Sequence, residues 1–314
     1  MAAAKKKAGG FRKRFFQVVP RVFGGLSPRL ALAVLLATLV LGGVLFAWLR
    51  WGTAVTRHPR YVLAPDNIQI PPQPEWIRSD VKAEVFRDGS LGQLSSLDPQ
   101  ITVKVARAFT GHTWVAQVKR VAKQYPATML IELDYRRPVG MVVVTDANGQ
   151  PGVIPVDANG VVLPPAEFLP QDGQNDAPAK NYLRIVVGET VPLGVEGTAW
   201  GDERVHGAAK IAGLLADHWA AFGLYRVGVI ETEIPAKKKA DIVYELSTRE
   251  GTQVLWGHAP GSERSSEASA GEKVARLAIH VERFGTLANK NSPAEIDLRD
   301  KSGAKFSPRT ARRK

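Results

Sequence analysis

The stretch LALAVLLATLVLGGVLFAWL, Leu30–Leu49, runs 20 residues without a charge and is bracketed by Arg29 and Arg50. A helix of that length rises about 30 Å, the hydrocarbon thickness of a bilayer. A buried helix of a globular domain would carry a polar stripe, and none is present. A cleaved signal peptide would have a shorter apolar core, about 7–15 residues, and a small-x-small exit. Here the exit reads Phe46-Ala47-Trp48-Leu49-Arg50. The segment is read as an uncleaved transmembrane helix. Arg29 and Arg50 mark its two membrane interfaces, and Trp48 and Trp51 are the interfacial aromatics.

Charge sets the orientation. Eight basic residues and no acid precede Leu30, and six basic residues and no acid come after Asp300. Set aside from the net charge of +12, they leave −2 for the remainder. The folded body is close to neutral, which excludes a nucleic-acid-reading surface. The positive-inside rule places the N-terminus in the cytoplasm and about 260 residues on the far side. The chain has no Cys. That excludes a disulfide framework, a thiolate metal site and a cysteine nucleophile.

The exported part begins with a mixed pattern. Asn67–Ile70 alternates as a strand until the prolines at 71, 72 and 74. Trp76–Val85 reads as a helix, and Asp98-Pro99 opens a second one with an apolar stripe at Ile101, Val105, Ala108 and Phe109. Trp114–Val121, Met129–Tyr135 and Val139–Val144 then read as strands, with a turn at 125–128. Next, the tetrapeptide Asp-Ala-Asn-Gly occurs twice, at 146–149 and 157–160. A calcium loop would need Gly at position 6 and a carboxylate at position 12. Counting from Asp146 puts Pro151 at position 6, and counting from Asp157 puts Phe168 at position 12, so both frames fail. Asn-Gly between β-branched residues instead predicts tight type I′ hairpin turns. Further strands are predicted at 182–187, 225–232, 242–248, 252–256 and 295–300, with helices at 202–222 and 272–287, the second with Val274, Leu277, Ala278, Val281 and Phe284 facing inward. The stretch 258–270 is expected to be a flexible loop, and 301–314 a basic tail, loose in its last residues.

A search for chemistry returns no Gly-rich phosphate loop, no Gly-x-Ser-x-Gly elbow and no His clustered with carboxylates. His206 and His218 are 12 apart, not the i, i+4 spacing of a helical metal pair. Asp297 and Arg299 fall on one face of a strand and read as a structural ion pair. No catalytic residue, cofactor or metal site is expected, and binding is favoured over catalysis.

Six short motifs, in order, carry a family resemblance. Trp114-Val115-Ala116-Gln117-Val118 resembles PWVxxV, with His112-Thr113 where a Pro is usual. Tyr125–Ile131 resembles xPxTLxI, Tyr135–Gly140 resembles ERxPVA, and Val156–Val162 resembles LVDxxGxVF. Val254–Gly257 resembles VxLG, and Ile296-Asp297-Leu298-Arg299 resembles a closing IDLR. Together they resemble the FtsQ/DivIB family of bacterial cell-division proteins over residues 30–306. The resemblance implies an α+β fold in a fixed order. A basic cytoplasmic tail (1–29), a transmembrane helix (30–49) and a linker (50–60) come first. A POTRA-type β-α-α-β-β domain (61–143) is next, then a mixed β-sheet domain with two amphipathic helices (144–300) and the basic tail (301–314).

It also implies a non-enzymatic divisome scaffold in the bacterial inner membrane, periplasmic in its bulk and enriched at the septum. Its partners would be FtsB-like and FtsL-like membrane proteins, other divisome components and the lipid bilayer, with no nucleic acid. Partner contact would fall on the last strand and the residues just after it: Ile296, Leu298, Arg299, Asp300, Ser302 and Phe306. An open strand edge can accept a partner strand through main-chain hydrogen bonds. The family often has an aromatic directly after the closing Arg; here that place is Asp300, which makes Phe306 the replacement anchor. The alternatives are a POTRA-bearing secretion or assembly component and a membrane-anchored periplasmic cell-wall enzyme.

Overall fold

The computed structural model describes residues 27–56, 61–125, 127–146, 148–170, 177–232 and 241–308. The basic segment up to residue 26, the connector 57–60 and the last basic residues 309–314 lie outside the described residues, as do Pro126 and Ala147 of the two predicted turns. The chain is a mixed α+β protein with one N-terminal apolar helix and two mixed β-sheets. That helix, α1, runs Pro28–Thr56, and its window Leu32–Gly52 has a mean hydropathy of 2.5. Among the described residues it is the one helix long and apolar enough to cross a membrane. Arg29 lies in its first turn, while Trp48, Arg50 and Trp51 stand exposed toward its other end.

The smaller sheet has three strands, β1 (Ile68–Gln69), β2 (Val115–Gln124) and β3 (Thr128–Tyr135), in the order β1-β3-β2. β3 alternates: Met129, Ile131 and Leu133 are buried, while Leu130 and Asp134 are half-buried and Glu132 faces out. Two helices cross over between β1 and β2. α2 (Val81–Asp88) starts later than the sequence suggests, because the Asp80 side chain accepts the Ala83 N–H at 3.0 Å and caps it there. Trp76 and Ile77 are left in the preceding turn. α3 (Ile101–Thr110) buries Ile101, Val105 and Phe109, one stripe at intervals of four.

The larger sheet contains β4 (Pro138–Thr145), β5 (Pro151–Asp157), β6 (Leu183–Val186), β7 (Leu224–Thr232), β8 (Asp241–Thr248), β9 (Gln253–Gly257), β10 (Glu295–Asp297) and β11 (Lys305–Ser307). Its order is β11-β10-β9-β8-β7-β6-β4-β5. The sequence put the strand after Pro138 with the N-terminal sheet; it pairs in this one instead, parallel to β6 and antiparallel to β5. The predicted helix 202–222 is two helices, α4 (Glu203–Leu215) and the single turn α5 (Trp219–Phe222). α4 lies close on the sheet because Gly207 has no side chain. A Cβ there would stand 2.0 Å from the Tyr244 hydroxyl oxygen. The last helix, α6 (Ala270–Phe284), starts at a capping box made by Ser269 and Glu272. It buries Lys273, Leu277 and His280, while Phe284, expected to face inward, is exposed.

The two cores meet at β4. Met141 belongs to the core of the small sheet, whereas Val139 and Val142 belong to the core of the large one. Phe168, from the larger part, lies in the smaller core, 6.3 Å from Trp114 between ring centroids. Glu167 accepts the N–H groups of Arg78 and Ser79, at 2.8 and 3.1 Å, and ties down the entry to α2.

Both Asp-Ala-Asn-Gly segments are turns, and both are Asx turns. Asp146 Oδ1 accepts from Asn148 N and Gln150 N, and Asp157 Oδ1 accepts from Asn159 N and Val161 N. Within these two turns, the described residues with positive φ are the glycines, Gly149 at 77° and Gly160 at 69°. The predicted type I′ geometry, which needs positive φ at two successive positions, is therefore not the one adopted. The twin turns differ in their surroundings. Asp146 is exposed, but Asp157 is buried, and its second oxygen receives Arg136 Nη1 at 2.7 Å. Removing one partner of a buried ion pair costs about 3–5 kcal/mol. Asp157→Ala should therefore lower the unfolding free energy of the part after α1, measured by denaturant titration, by an amount of that order, and Asp146→Ala far less. Equal effects at the two sites would show that the Arg136 contact adds nothing.

Candidate functional site, the free end of the large sheet

The sequence expected the last strand to run from Glu295 to Asp300 and to be the open edge. The strand β10 ends at Asp297 and is not an edge. It lies parallel to β9 on one side and antiparallel to β11 on the other, with Ile296 opposite Phe306. Ile296 and Leu298 are buried in the core, so neither side chain is open to a partner. The edge is β11, formed from what the sequence read as the start of a loose tail. All three of its residues are exposed, and no described strand pairs with its outer side.

The connection from β10 to β11 is a closed polar turn. Arg299 is held by Asp297 in a bidentate pair, Nε to Oδ1 at 2.9 Å and Nη2 to Oδ2 at 2.7 Å. This is the ion pair the spacing suggested, and it holds the Asp297 carboxyl below its usual range. Asp300 accepts from Ser302 N and Oγ, both at 2.9 Å, and from Lys305 Nζ at 3.0 Å. The Ser302 N–H, then Lys305, hold its carboxyl well below the usual carboxylate range. Asp300 and Ser302 thus spend their hydrogen-bonding capacity on the turn. Phe306 points away from it and stacks on His280, with 4.9 Å between centroids and 17° between planes. His280 in turn lies 4.9 Å from Phe284. Burial lowers the His280 pKa, so the ring is an uncharged aromatic plate at neutral pH. These three rings, with Pro293, Asn289 and Asn291, line a cavity of about 510 Å³ beside the strand edge. A strand edge offers main-chain hydrogen bonds, and the groove offers a seat for one large apolar side chain.

His280 and Phe284 escaped the sequence reading. Both sit on α6 near its end, and the apolar stripe drew Phe284 inward on paper. The signal that could have found them is the chain bend at Gly285 (φ 81°), which ends α6 beside the last strands.

A second cavity, about 490 Å³, lies near the opposite end of α6. The sequence search found no His clustered with carboxylates, because its members are far apart. His258 Nδ1 lies 2.6 Å from Glu267 Oε2, and His258 Nε2 lies 3.1 Å from Asp241 Oδ1. Arg264 pairs with the other oxygen of Asp241. Glu267 is buried and also accepts from Lys273 Nζ at 2.5 Å and from the His258 N–H at 2.8 Å. Lys273 is fully buried, its ammonium 5.2 Å from the Trp256 ring centroid. The stretch 258–270, expected to be flexible, is pinned here. Glu267 Oε2 also accepts from the Arg264 N–H at 3.3 Å, while which His258 ring nitrogen donates depends on the tautomer. Among the described residues no group of three or more His, Asp or Glu is arranged to hold a metal ion.

Burial pushes the Glu267 carboxyl upward, but the Lys273 and His258 hydrogen bonds outweigh it and leave its pKa lowered. A depressed carboxyl stabilises the fold above its unfolded pKa, about 4.3, and that contribution fades as pH falls through the folded value. Glu267→Gln should therefore lose part of its stability at pH 7, about 3 kcal/mol because Lys273 is left unpaired, and unfold with a shallower acid limb. Parallel acid limbs for the two proteins, measured by denaturant titration from pH 7 to 3, would show that Glu267 carries no such linkage.

No protein-family model matches the chain, and no curated protein matches it.

Proposed function

We propose that the chain is a membrane-anchored, non-enzymatic scaffold of the bacterial division machinery, of the FtsQ/DivIB kind, that holds an FtsB-like and FtsL-like coiled-coil pair outside the cytoplasmic membrane. The observation that carries this reading is the exposed terminal strand Lys305–Ser307 with an aromatic groove beside it. It falls directly after the segment that resembles the family's closing IDLR. The element order strand, helix, helix, strand, strand in residues 68–135 agrees with a POTRA-type domain. The apolar helix α1 agrees with a single anchor, and the basic residues before it favour a cytoplasmic N-terminus.

Phe306 is the residue to alter first. It is 48% exposed, so replacing it removes little core packing, yet it forms one wall of the groove. Buried aromatic anchors dominate binding energies at interfaces. Phe306→Asp is expected to lower co-purification with the host's FtsB-like protein by about tenfold or more and to leave the thermal midpoint nearly unchanged. An N-terminal fluorescent fusion should gather at the constriction of dividing cells. A functional fusion spread evenly over the membrane would count against a division role.

A further inference from the structure

The strand β11 is too short to hold itself. Its three residues are exposed, and its hold on the sheet is a three-residue pairing with β10 plus the stack of Phe306 on His280. Something else must fix where it lies. Asp300 closes the turn locally, but its partners Ser302 and Lys305 all belong to the same short segment. From outside the segment, the Ala268 N–H donates to Arg299 O at 2.8 Å, His280 stacks on Phe306, and one side chain grips the turn itself. Arg276, in the middle of α6, donates from Nη1 to Leu298 O at 3.1 Å and to Asp300 O at 2.6 Å, and from Nη2 to Lys301 O at 2.9 Å. Three main-chain carbonyls over four residues thus converge on one guanidinium. They are the carbonyls at which the chain leaves β10 and turns back as β11.

The guanidinium is suited to this. It is planar, permanently charged, and presents five donors in a fixed fork. Hydrogen bonds from a charged donor are stronger than neutral ones. α6 is itself well fixed, by its capping box and by Leu277 in the core. The helix can therefore act as the rigid reference against which the turn is set. The next helical turn carries His280, on which Phe306 stacks. So α6 touches the β10–β11 unit twice, at the turn through Arg276 and at the strand through His280.

We propose that Arg276 is the positioning residue of the partner-binding edge: it touches no partner, but holds β11 in the register and orientation that a partner strand requires. The inference rests on the scaffold reading above for what the edge binds. A pre-set edge spares the partner the ordering of a loose segment, so its loss shows as weaker binding.

The test uses the full chain in detergent, with Arg276→Met and Arg276→Lys. Methionine keeps much of the apolar stem and removes the donors. Lysine keeps a charge, but its point charge cannot reproduce the fork. Amide hydrogen exchange at Lys305–Ser307 is expected to quicken about tenfold in Arg276→Met and by less in Arg276→Lys, while β7–β9 exchange as before. Capture of the soluble segment of the host's FtsB-like protein should fall about tenfold in the same order.

The chain has no cysteine, and Glu295 stands opposite Ser307 across the β10–β11 pair. Glu295→Cys with Ser307→Cys, oxidised in the Arg276→Met background, should tie the strand back and restore capture to that of the same disulfide with Arg276 present. A residue with a merely structural role would not be rescued this way. Unchanged exchange at β11 in Arg276→Met overturns the proposal, as does a formed disulfide that leaves capture weak. A chain that captures no FtsB-like segment even with Arg276 in place sinks the scaffold reading, and the exchange rates then decide alone whether Arg276 sets the strand.

Discussion

The carboxylate of Asp157 is a single acceptor that two levels of the structure share. One oxygen closes the turn after β5 by taking two main-chain N–H groups, and the other takes the Arg136 guanidinium. Arg136 lies between β3 and β4, where the chain passes from the small sheet to the large one. Its own main chain is engaged too, its N–H donating to Trp114 O and its carbonyl accepting from Trp76 Nε1. Because Asp157 is buried, its charge cannot turn to water if the pair breaks. The joint between the sheets is therefore held by a few contacts that must all be satisfied together. Met141, Phe168 and Glu167 add packing and hydrogen bonds across it.

That joint explains why the large sheet can be finished at its far end by something as slight as β11. The sheet is anchored at the β4–β5 side by the junction and in its middle by α4, with Tyr244 tucked under Gly207. The far side is built later in the chain, by β9, β10 and α6, and there polar contacts are added to the buried Val254, Trp256, Leu277, Ile296 and Leu298. Glu267 ties the 258–269 segment to Lys273, Asp297 holds Arg299, and Arg276 holds the turn. Such an end is stable as a frame yet keeps its last strand unpaired. Natural sheets usually blunt an exposed edge with charge or shortness. β11 is short and begins with Lys305, which limits indiscriminate pairing. The groove lined by His280, Phe284 and Phe306 lies beside it.

Much of the fold was legible because periodicity dictates it. β3 alternates at a period of two, α3 repeats at four, and the predicted strands of the large sheet fall within a few residues of their positions. The apolar helix was legible from length and charge alone. What failed was pairing. Whether a strand lies at an edge or inside depends on what the next segment does, and Lys301–Phe306 carries no alternation long enough to announce a strand. β4 was assigned to the wrong sheet for the same reason: a run of apolar residues says that a strand is buried, not which neighbour it has.

The site was less legible still, because its chemistry is contributed by residues far apart. His258 meets Asp241 and Glu267 only after β8, β9 and the segment before α6 have been laid side by side. Arg276 reaches carbonyls 22 to 25 residues away, and carbonyls leave no mark in a sequence. Phe306 could be singled out as an aromatic where one was needed, but its stacking partner lay on a helix whose apolar stripe pointed elsewhere. Motif order pointed to the end of the chain that is proposed to bind. What shapes that end is a guanidinium gripping a backbone and an imidazole against a phenyl ring, and both arise only when α6 is set against the last two strands.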